Sequence, residues 1–268
     1  MRIALGLALL VLLAPALLGC RGETRGTNAE KPPTRDVVLL VSLNVLNKWW
    51  AGPQEPPWEA RRQKVFDLVN TLAPDFLCIQ EQAEEQVSDI LAAAPSYRDA
   101  GTRGQSGAIF YWHERWELLR AGREHFAQDP WYFMWALFRE KATGRQIHIY
   151  TTHIPIESQV GLKYRVDAVK MIARHISERQ SPDAPAILAG DFNSLSLTAP
   201  MLYLTGRSTP AKLVYAHHDI PILLGNSRSY GIDHILTTPG MEVVESGVAK
   251  GIGESGSDHP AVFAKLKW

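Results

Sequence analysis

Two polar residues, Asp191 and Asn193, stand two positions apart in the segment Gly190-Asp191-Phe192-Asn193. The apolar run 185–189 precedes them and predicts a short buried strand that ends at a glycine turn. An ionised aspartate accepts hydrogen bonds, whereas an asparagine amide both donates and accepts them. Strand ends and their loops are where rigid scaffolds present catalytic groups. The segment is therefore a candidate for part of an active site, and an ordinary Asp-Asn turn is the alternative.

Other polar residues border apolar runs in the same way, namely Asn44, Glu81, His153, Asp233, Asp258 and His259. If the strands lie side by side, these side chains can gather at one edge of the sheets. A hard cation such as Mg²⁺ prefers oxygen ligands, and Glu81 with Asn44 would suit it. Zinc is disfavoured because the sequence lacks several Cys or regularly spaced His ligands. Two histidines beside carboxylates supply proton transfer near neutral pH, so the set has the parts needed to hydrolyse a phosphate ester.

Strands and helices must position these residues. Apolar runs predict strands over 37–41, 76–79, 185–190, 230–236, 242–248 and 261–266. Amphipathic spacing predicts helices over 58–72, 83–94 and 157–178, with Arg61 mostly off the apolar face of the first. Short aromatic and β-branched runs between 97 and 153 predict an antiparallel meander, and 195–225 has no readable pattern. Strands spread along the sequence with helices between them indicate one α/β domain over 36–268.

Composition sets limits on the class of protein. The 268 residues include 28 Lys plus Arg and 28 Asp plus Glu, so the formal charge is zero. A dedicated nucleic-acid binder usually has a basic excess, which disfavours tight duplex binding. Cys78 lies in an apolar run and is predicted to be a small buried side chain.

The N-terminal sequence predicts export. Met1-Arg2 is followed by an apolar run over 3–18, which indicates a secretory signal. Leu17-Leu18-Gly19-Cys20 resembles the lipobox of bacterial lipoproteins, which implies a signal peptide over 1–19 and lipidation of Cys20. An ordinary signal peptide is the alternative. Residues 20–35 are polar and predict a flexible tether. Arg21 is not the usual inner-membrane retention cue, so the expected location is a bacterial cell envelope, at the outer membrane.

Six segments in one order carry a wider resemblance: Ser42-Leu43-Asn44-Val45, Ile79-Gln80-Glu81, Thr152-His153, Gly190-Asp191-Phe192-Asn193, Ile232-Asp233-His234-Ile235 and Ser257-Asp258-His259-Pro260. Together they resemble the endonuclease/exonuclease/phosphatase superfamily. It includes pancreatic-type deoxyribonucleases, abasic-site endonucleases, neutral sphingomyelinases and inositol-polyphosphate phosphatases. The resemblance implies a four-layer α/β sandwich over 36–268, in which two packed, largely antiparallel β-sheets are flanked by helices.

The resemblance also implies roles for the acidic residues. Glu81 is expected to be the principal ligand of Mg²⁺, with Mn²⁺ or Ca²⁺ as alternatives, and Asn44 its neighbour. Asp258 is expected to add a metal contact. Asp191 is similar to a residue that orients or deprotonates the attacking water, or that holds a second metal ion. Asp233 is expected to orient His259 by accepting from its ring N–H.

The amide and the imidazoles have implied roles as well. Asn193 is expected to hold the phosphate and stabilise the transition state. His153 resembles a phosphate-contacting histidine that can act as a general acid, and His259 a general base or second phosphate contact. Related deoxyribonucleases have a glutamate partner for the first histidine. The region 97–112 offers Arg103 and Gln105 instead, which puts a nuclease-type dyad at His153 in doubt.

The expected function is a Mg²⁺-dependent phosphoesterase, with a nuclease-like phosphodiesterase favoured. A phosphatase or a phospholipid phosphodiesterase is the alternative, and a non-catalytic binding lipoprotein is a third. The expected substrate is nucleic acid, a phospholipid head group or a small ester, and no protein partner is inferred.

Four further features lie outside these roles. The tryptophans of loop 48–58 suit base stacking, a membrane interface or burial. We expect 217–219 to form a surface loop and His234 to point away from Asp233. Arg165 suits either a structural role or contact with phosphate.

Overall fold

The computed structural model describes residues 36–101, 104, 106–127, 130–218 and 230–268. The predicted signal peptide over 1–19, the lipidation site Cys20 and the tether over 20–35 lie outside these residues. No helix among the described residues is both long and apolar enough to cross a membrane.

The described residues form twelve strands and four helices. The strands are β1 (Val38–Asn44), β2 (Phe76–Gln80), β3 (Tyr97–Asp99), β4 (Ala108–Trp112), β5 (Trp116–His125), β6 (Tyr132–Glu140), β7 (Gln146–His153), β8 (Ala186–Asp191), β9 (Val214–His218), β10 (Asp233–Thr237), β11 (Glu242–Lys250) and β12 (Ala261–Lys267). The helices are α1 (Trp58–Leu72), α2 (Glu84–Ala93), α3 (Glu157–Arg179) and α4 (Ala199–Thr205).

The strands form two six-stranded sheets, with orders β11-β12-β1-β2-β4-β3 and β5-β6-β7-β8-β10-β9. Neighbouring strands are antiparallel except for one parallel pair in each sheet, β1 with β2 and β7 with β8. A parallel pair needs a crossover connection, and α1 and α3 supply the two crossovers. The ends of both parallel pairs carry predicted site residues.

Two hydrophobic clusters fill the space between the layers. The larger one joins the facing sides of the two sheets, as in Val41 and Ile109 against Met134 and Ile187, and includes buried residues of α1 and α2. The smaller one packs α3 and α4 on the outer face of the second sheet. Cys78 is free and fully buried in the larger cluster. The predicted sandwich of two largely antiparallel sheets between helices is confirmed.

Two predictions about secondary structure are wrong, the single meander over 97–153 and the surface loop at 217–219, of which Asp219 lies outside the described residues. The run from 97 to 153 is not one meander, because β4 pairs with β2 in the first sheet and only β5 to β7 form a meander in the second. The region from 195 to 225 contains α4 and β9, elements of seven and five residues that are too short to leave a clear periodic pattern. His217 and His218 therefore lie in a strand, where His217 is buried, and not in a surface loop.

Candidate active site

Strand register brings the predicted residues to one edge of the sandwich. In the first sheet, Asn44 lies opposite Gln80, the residue before Glu81. In the second sheet, Asp191 lies opposite His153 on one side and opposite Asp233 on the other. Because both sheets end at this edge, residues far apart in the sequence become neighbours.

Asp191 is the centre of the site. Its carboxylate is 1% exposed and accepts a hydrogen bond at Oδ2 from Asn44 Nδ2, 3.2 Å away, across the gap between the two sheets. The same Oδ2 lies 3.6 Å from His153 Nε2 and 3.7 Å from His259 Nε2. One carboxylate oxygen therefore faces an amide and two imidazoles at once.

Hydrogen bonds fix the turn that carries Asn193. Its backbone N–H donates to Asp191 Oδ1 at 2.8 Å, and its backbone has a left-handed φ of 47°, a conformation that asparagine tolerates well. Asn193 Nδ2 donates to Ile154 O at 2.9 Å and lies 3.1 Å from His153 Nε2. The amide is thus held at the mouth of the site beside the first histidine.

The second histidine is held by a buried carboxylate. His259 Nδ1 donates to Asp233 Oδ2 at 3.0 Å, which leaves Nε2 facing Asp191. Burial lowers the pKa of His259, but the negative charges of Asp233 and Asp191 outweigh it, so the pKa is raised well above its usual value. Burial raises the pKa of Asp233 to about 6, against the attraction of His259. The raised pKa of His259 favours its protonated form, which donates to the Asp233 carboxylate.

Glu81 directly follows the last residue of β2 and has a strained backbone conformation. Its φ is 57°, which is unusual for glutamate and typical of functional sites. Its side chain is 16% exposed, and Oε1 lies 3.7 Å from His153 Nε2. The ligand atoms of Glu81, His153 and Asp191 lie within 4.8 Å of one another, as do those of Asp191, Asp233 and His259.

The donor chemistry of this edge fits a hard divalent cation. Glu81 and Asp191 supply carboxylate oxygens, and Asn44 supplies an amide oxygen that also accepts from Leu46 N at 3.0 Å. A carbonyl oxygen has a second lone pair for a metal ion. Two carboxylates and an amide are oxygen ligands of the kind Mg²⁺ takes.

Asp258 is the predicted metal-contacting carboxylate that the candidate metal clusters leave out. Neither three-residue cluster includes it among the described residues. Its Oδ1 accepts from Ser257 Oγ at 3.1 Å. Burial lowers the pKa of Arg61, and the charge of Asp258 opposes this shift; the same charge is one of the causes that raise the pKa of His259. The expected metal contact of Asp258 stays a prediction.

The two ring nitrogens of His153 have different surroundings, since Nε2 faces the carboxylates of Glu81 and Asp191. Its Nδ1 is buried and has no hydrogen-bond partner in the described part of the chain. The edge of the Trp131 ring system stands against its imidazole, with ring centroids 5.6 Å apart and planes at 88°. Arg103 and Gln105, which region 97–112 offers in place of a glutamate, lie outside the described residues, so the expected lack of a nuclease-type dyad stays a prediction.

Two buried arginines support the loops of the site; the sequence left the role of Arg165 open and missed that of Arg61. Arg165 of α3 donates through Nη2 to Phe192 O at 3.1 Å and also to Asn193 O and Ser194 Oγ. Its position four residues before Val169, on the apolar face of the helix, is the signal that predicts burial. The structural role for Arg165, left open by the sequence, is the one observed.

Arg61 is the second buried arginine, and the prediction that it lies off the apolar face of α1 is wrong. It is 3% exposed, because it stands four residues before Val65 on the buried face. Nη1 donates to Gly256 O at 2.8 Å and also to Val45 O, and Nη2 donates to Leu46 O. Arg61 thus joins the loop after Asn44 to the loop before His259.

A cleft of about 430 Å³ opens onto these groups. It is lined by Trp50, Glu81, Pro130, Trp131, His153, Ile156, Gln159, Asp191, Asn193 and His259. This lining includes no Lys or Arg from the described ranges. Trp49 and Trp50 are 70% and 47% exposed, whereas Trp58 is buried and donates to Asp89 Oδ2 at 2.8 Å. The cleft is polar at its base and apolar at its rim.

Comparison with known proteins agrees with this geometry. The sequence model of the Endonuclease/Exonuclease/phosphatase family matches residues 41–259. Protein angel of Drosophila melanogaster is 26% identical over 178 residues, which cover 56% of this chain and 48% of that protein. The chain therefore spans about half the length of this relative.

Solved structures share the fold at low sequence identity. An endonuclease/exonuclease/phosphatase from Bacteroides vulgatus has a TM-score of 0.72 at 22% identity, over 86% of this chain and 98% of that one. A mannosyl-6-phosphatase from Bacteroides thetaiotaomicron has a TM-score of 0.71 at 21% identity, over 86% and 100%.

Proposed function

Because the chain belongs to the endonuclease/exonuclease/phosphatase family and is a hydrolase of phosphate esters, we propose that it is a metal-dependent phosphodiesterase. The lining of the cleft is the observation that supports a diester. It gathers carboxylates, imidazoles and an amide, with no Lys or Arg from the described residues. A phosphate monoester has a charge of about −1.5 to −2 at neutral pH, whereas a diester has one negative charge and needs less compensation.

The metal ion of this proposal is Mg²⁺, with Mn²⁺ or Ca²⁺ as alternatives. The Glu81 carboxylate and the Asn44 amide oxygen would hold it, and Asp191 lies close enough to join them. When bound, such an ion polarises a phosphoryl oxygen and offsets the charge that develops on it.

The residues of the chain then divide the remaining work. Asp191, oriented by Asn44 and by the N–H of Asn193, takes a proton from the attacking water as the water oxygen bonds to phosphorus. The imidazolium of His259 holds a phosphate oxygen through Nε2–H, since Nδ1–H is already given to Asp233. His153 gives a proton to the leaving oxygen.

Nucleic acid and phospholipid both contain phosphodiesters. Affinity for a polynucleotide comes mainly from Lys and Arg contacts with phosphates, which the described cleft lining lacks. The formal charge of zero points the same way. These two observations favour a small or lipid-borne diester over a long nucleic acid, and a monoester remains the alternative that an assay separates.

The test uses the fragment 36–268, which contains every described helix and strand and both hydrophobic clusters. It is incubated with bis(p-nitrophenyl) phosphate, p-nitrophenyl phosphate, supercoiled plasmid and phospholipid vesicles, with Mg²⁺ or with EDTA. We expect hydrolysis of the diester to require the metal and to be lost in His259→Ala, which also controls for contamination. Preference for the monoester, or activity that survives EDTA, would contradict the proposal.

We further propose that lipid on Cys20 holds the domain at a bacterial envelope membrane. The support is the lipobox-like sequence Leu17-Leu18-Gly19-Cys20 after an apolar run. Expression of the full chain in a bacterium, with labelled fatty acid and membrane fractionation, tests it. We expect label on the wild type and none on Cys20→Ser, which should leave the membrane fraction. Equal fractionation of both proteins would contradict the proposal.

A further inference from the structure

Exposed apolar side chains surround the mouth of the cleft. Four separate segments supply them, and we call the set the apolar collar: Trp49, Trp50, Ile156, Leu195 and Tyr230. Their exposed fractions are 70%, 47%, 43%, 39% and 45%. Exposed apolar groups that cluster, in contrast to single ones, usually mark a binding surface.

Three of the five members of the apolar collar lie beside the catalytic groups, and the other two are close to them in sequence. Trp50 and Ile156 line the cleft together with Glu81, His153 and His259. The ring of Tyr230 stands edge-on to that of His259, with centroids 6.1 Å apart. Leu195 follows Asn193 by two residues. Trp49 adjoins Trp50 and lines a neighbouring pocket with Asn47 and Gln82. A surface that binds the apolar collar therefore meets the cleft at the same time.

We propose that the apolar collar docks on a phospholipid surface and that the phosphodiester hydrolysed belongs to a lipid head group. This inference rests on the proposed phosphodiesterase activity and names its substrate class. Insertion of the collar among lipid head groups would remove its apolar area from water, which is favourable in proportion to that area. The phosphate of a head group would then lie level with the cleft.

Charge near the apolar collar supports lipid over nucleic acid. The described lining of the cleft has no Lys or Arg to track a polyanion. Lys48 is a cation next to the collar, and its Nζ lies 4.6 Å from the centre of the Trp49 ring. An indole with an ammonium group at its side suits a membrane interface, where the ring enters the head-group layer and the charge stays in water.

The expected lipid anchor adds to this argument. The tether over 20–35 has sixteen residues and would reach at most about 55 Å when extended. A domain held so close to a membrane meets lipid at a high effective concentration. A collar of modest affinity would be sufficient under these conditions.

The experiment is sedimentation of fragment 36–268, which lacks the predicted anchor, with phosphatidylcholine vesicles at low and high salt. Trp49→Ala with Trp50→Ala should weaken binding at least about tenfold, because the lost indole area no longer enters the interface. The control is Val243→Ala with Val244→Ala, a pair of exposed residues on β11 that are not among the cleft-lining residues. It should bind like the wild type, within about twofold.

Each result has a definite meaning. Salt-resistant binding that is lost only in the tryptophan pair supports the inference. Any of four results would overturn it. The wild type could fail to bind, or the tryptophan pair could bind equally well. Binding could be confined to anionic vesicles and abolished by salt, or binding to single-stranded DNA could be stronger.

A parallel assay on bis(p-nitrophenyl) phosphate separates this inference from the proposed function. Hydrolysis of that soluble diester without vesicle binding would remove the collar inference alone. Vesicle binding lost in the tryptophan pair, with no ester hydrolysed, would support the docking surface and overturn the proposed activity.

Discussion

At the scale of single residues, the hydrogen bond between Asp233 Oδ2 and His259 Nδ1 decides which nitrogen faces the substrate. Asp233→Asn keeps the size of the side chain and removes its charge. Burial, which lowers the pKa of His259, would then be opposed mainly by Asp191, so the pKa should fall. We expect kcat at neutral pH to fall about 100-fold or more, and the alkaline limb of the pH–rate profile to move to lower pH.

The matched control for this change is Asp258→Asn. Asp258 also raises the pKa of His259, but its Oδ1 accepts from Ser257 Oγ and it is the smaller contributor. Its variant should shift the alkaline limb less than Asp233→Asn does. A profile that stays in place in Asp233→Asn would show that the charge of Asp233 does not act on His259.

The site residues at the strand ends could be predicted from the sequence, because hydrolysis of a phosphate ester requires carboxylates, imidazoles and amides. Asp191, His153 and His259 were expected to meet, and their distances place them together. Arg61 and Arg165 could not be assigned in the same way, because their partners are mainly backbone carbonyls of distant loops. Backbone acceptors leave no residue-type signal in a sequence.

At the scale of elements, α3 supports the turn after β8 through one guanidinium group. Arg165→Gln would leave acceptors of that turn without their donor, which should lower the free energy of unfolding by about 1–3 kcal/mol. A turn that shifts would misplace Asn193, and misplacement by about 1 Å can lower kcat about 100-fold. Urea unfolding and steady-state kinetics measure the two effects.

The control for this change is Arg174→Gln, since Arg174 is an exposed arginine of the same helix. It should change neither quantity. An Arg165→Gln enzyme that loses stability but keeps its kcat would show that the guanidinium does not position Asn193.

Close strand contact also depends on Gly190, at the end of β8. A Cβ at this position would stand 2.1 Å from Thr152 O of β7, and φ is 150°. Gly190→Ala would therefore push the two parallel strands apart, and we expect the free energy of unfolding to fall by more than about 2 kcal/mol. Gly247→Ala is the control, because its nearest neighbour is a side-chain atom of Phe263 at 3.4 Å. Equal unfolding midpoints for the two variants would contradict the expected clash.

Most elements could be predicted because periodicity and length determine them locally. α1 begins and ends where its amphipathic pattern predicted, at Trp58 and Leu72. The partner of β4 could not be predicted, since its pairing with β2 depends on where the intervening chain crosses the sandwich. Short elements such as α4 are held by tertiary contacts, such as Met201 and Leu204 in the smaller cluster, and contacts of this kind cannot be read from local sequence.

At the scale of the whole molecule, the layers bury ionisable groups far from the cleft. His148 of β7 and His175 of α3 lie between the second sheet and its helix layer, where Tyr150 Oη is 3.1 Å from His175 Nδ1. Burial lowers the pKa of each histidine to about 4. Both side chains are therefore neutral in the folded protein at physiological pH.

This burial predicts how stability depends on pH. Between about pH 6.5 and 4 the unfolded chain binds protons at His148 and His175 that the folded protein does not. The free energy of unfolding should therefore decrease as the pH falls through this window, by at most about 1.4 kcal/mol per pH unit for each histidine. The raised pKa of Asp233 acts in the opposite direction within this window, whereas the raised pKa of His259 acts only above about pH 6.5. The comparison must therefore be made between variants.

Urea unfolding of the wild type and of His148→Gln with His175→Gln, across this pH window, isolates the two buried histidines. We expect the variant to lose less stability on acidification than the wild type, because glutamine does not titrate. His125→Gln, at the exposed end of β5, is the control and should follow the wild type. Parallel pH profiles for the wild type and the double variant would mean that the layer between β7 and α3 opens to water before its histidines protonate.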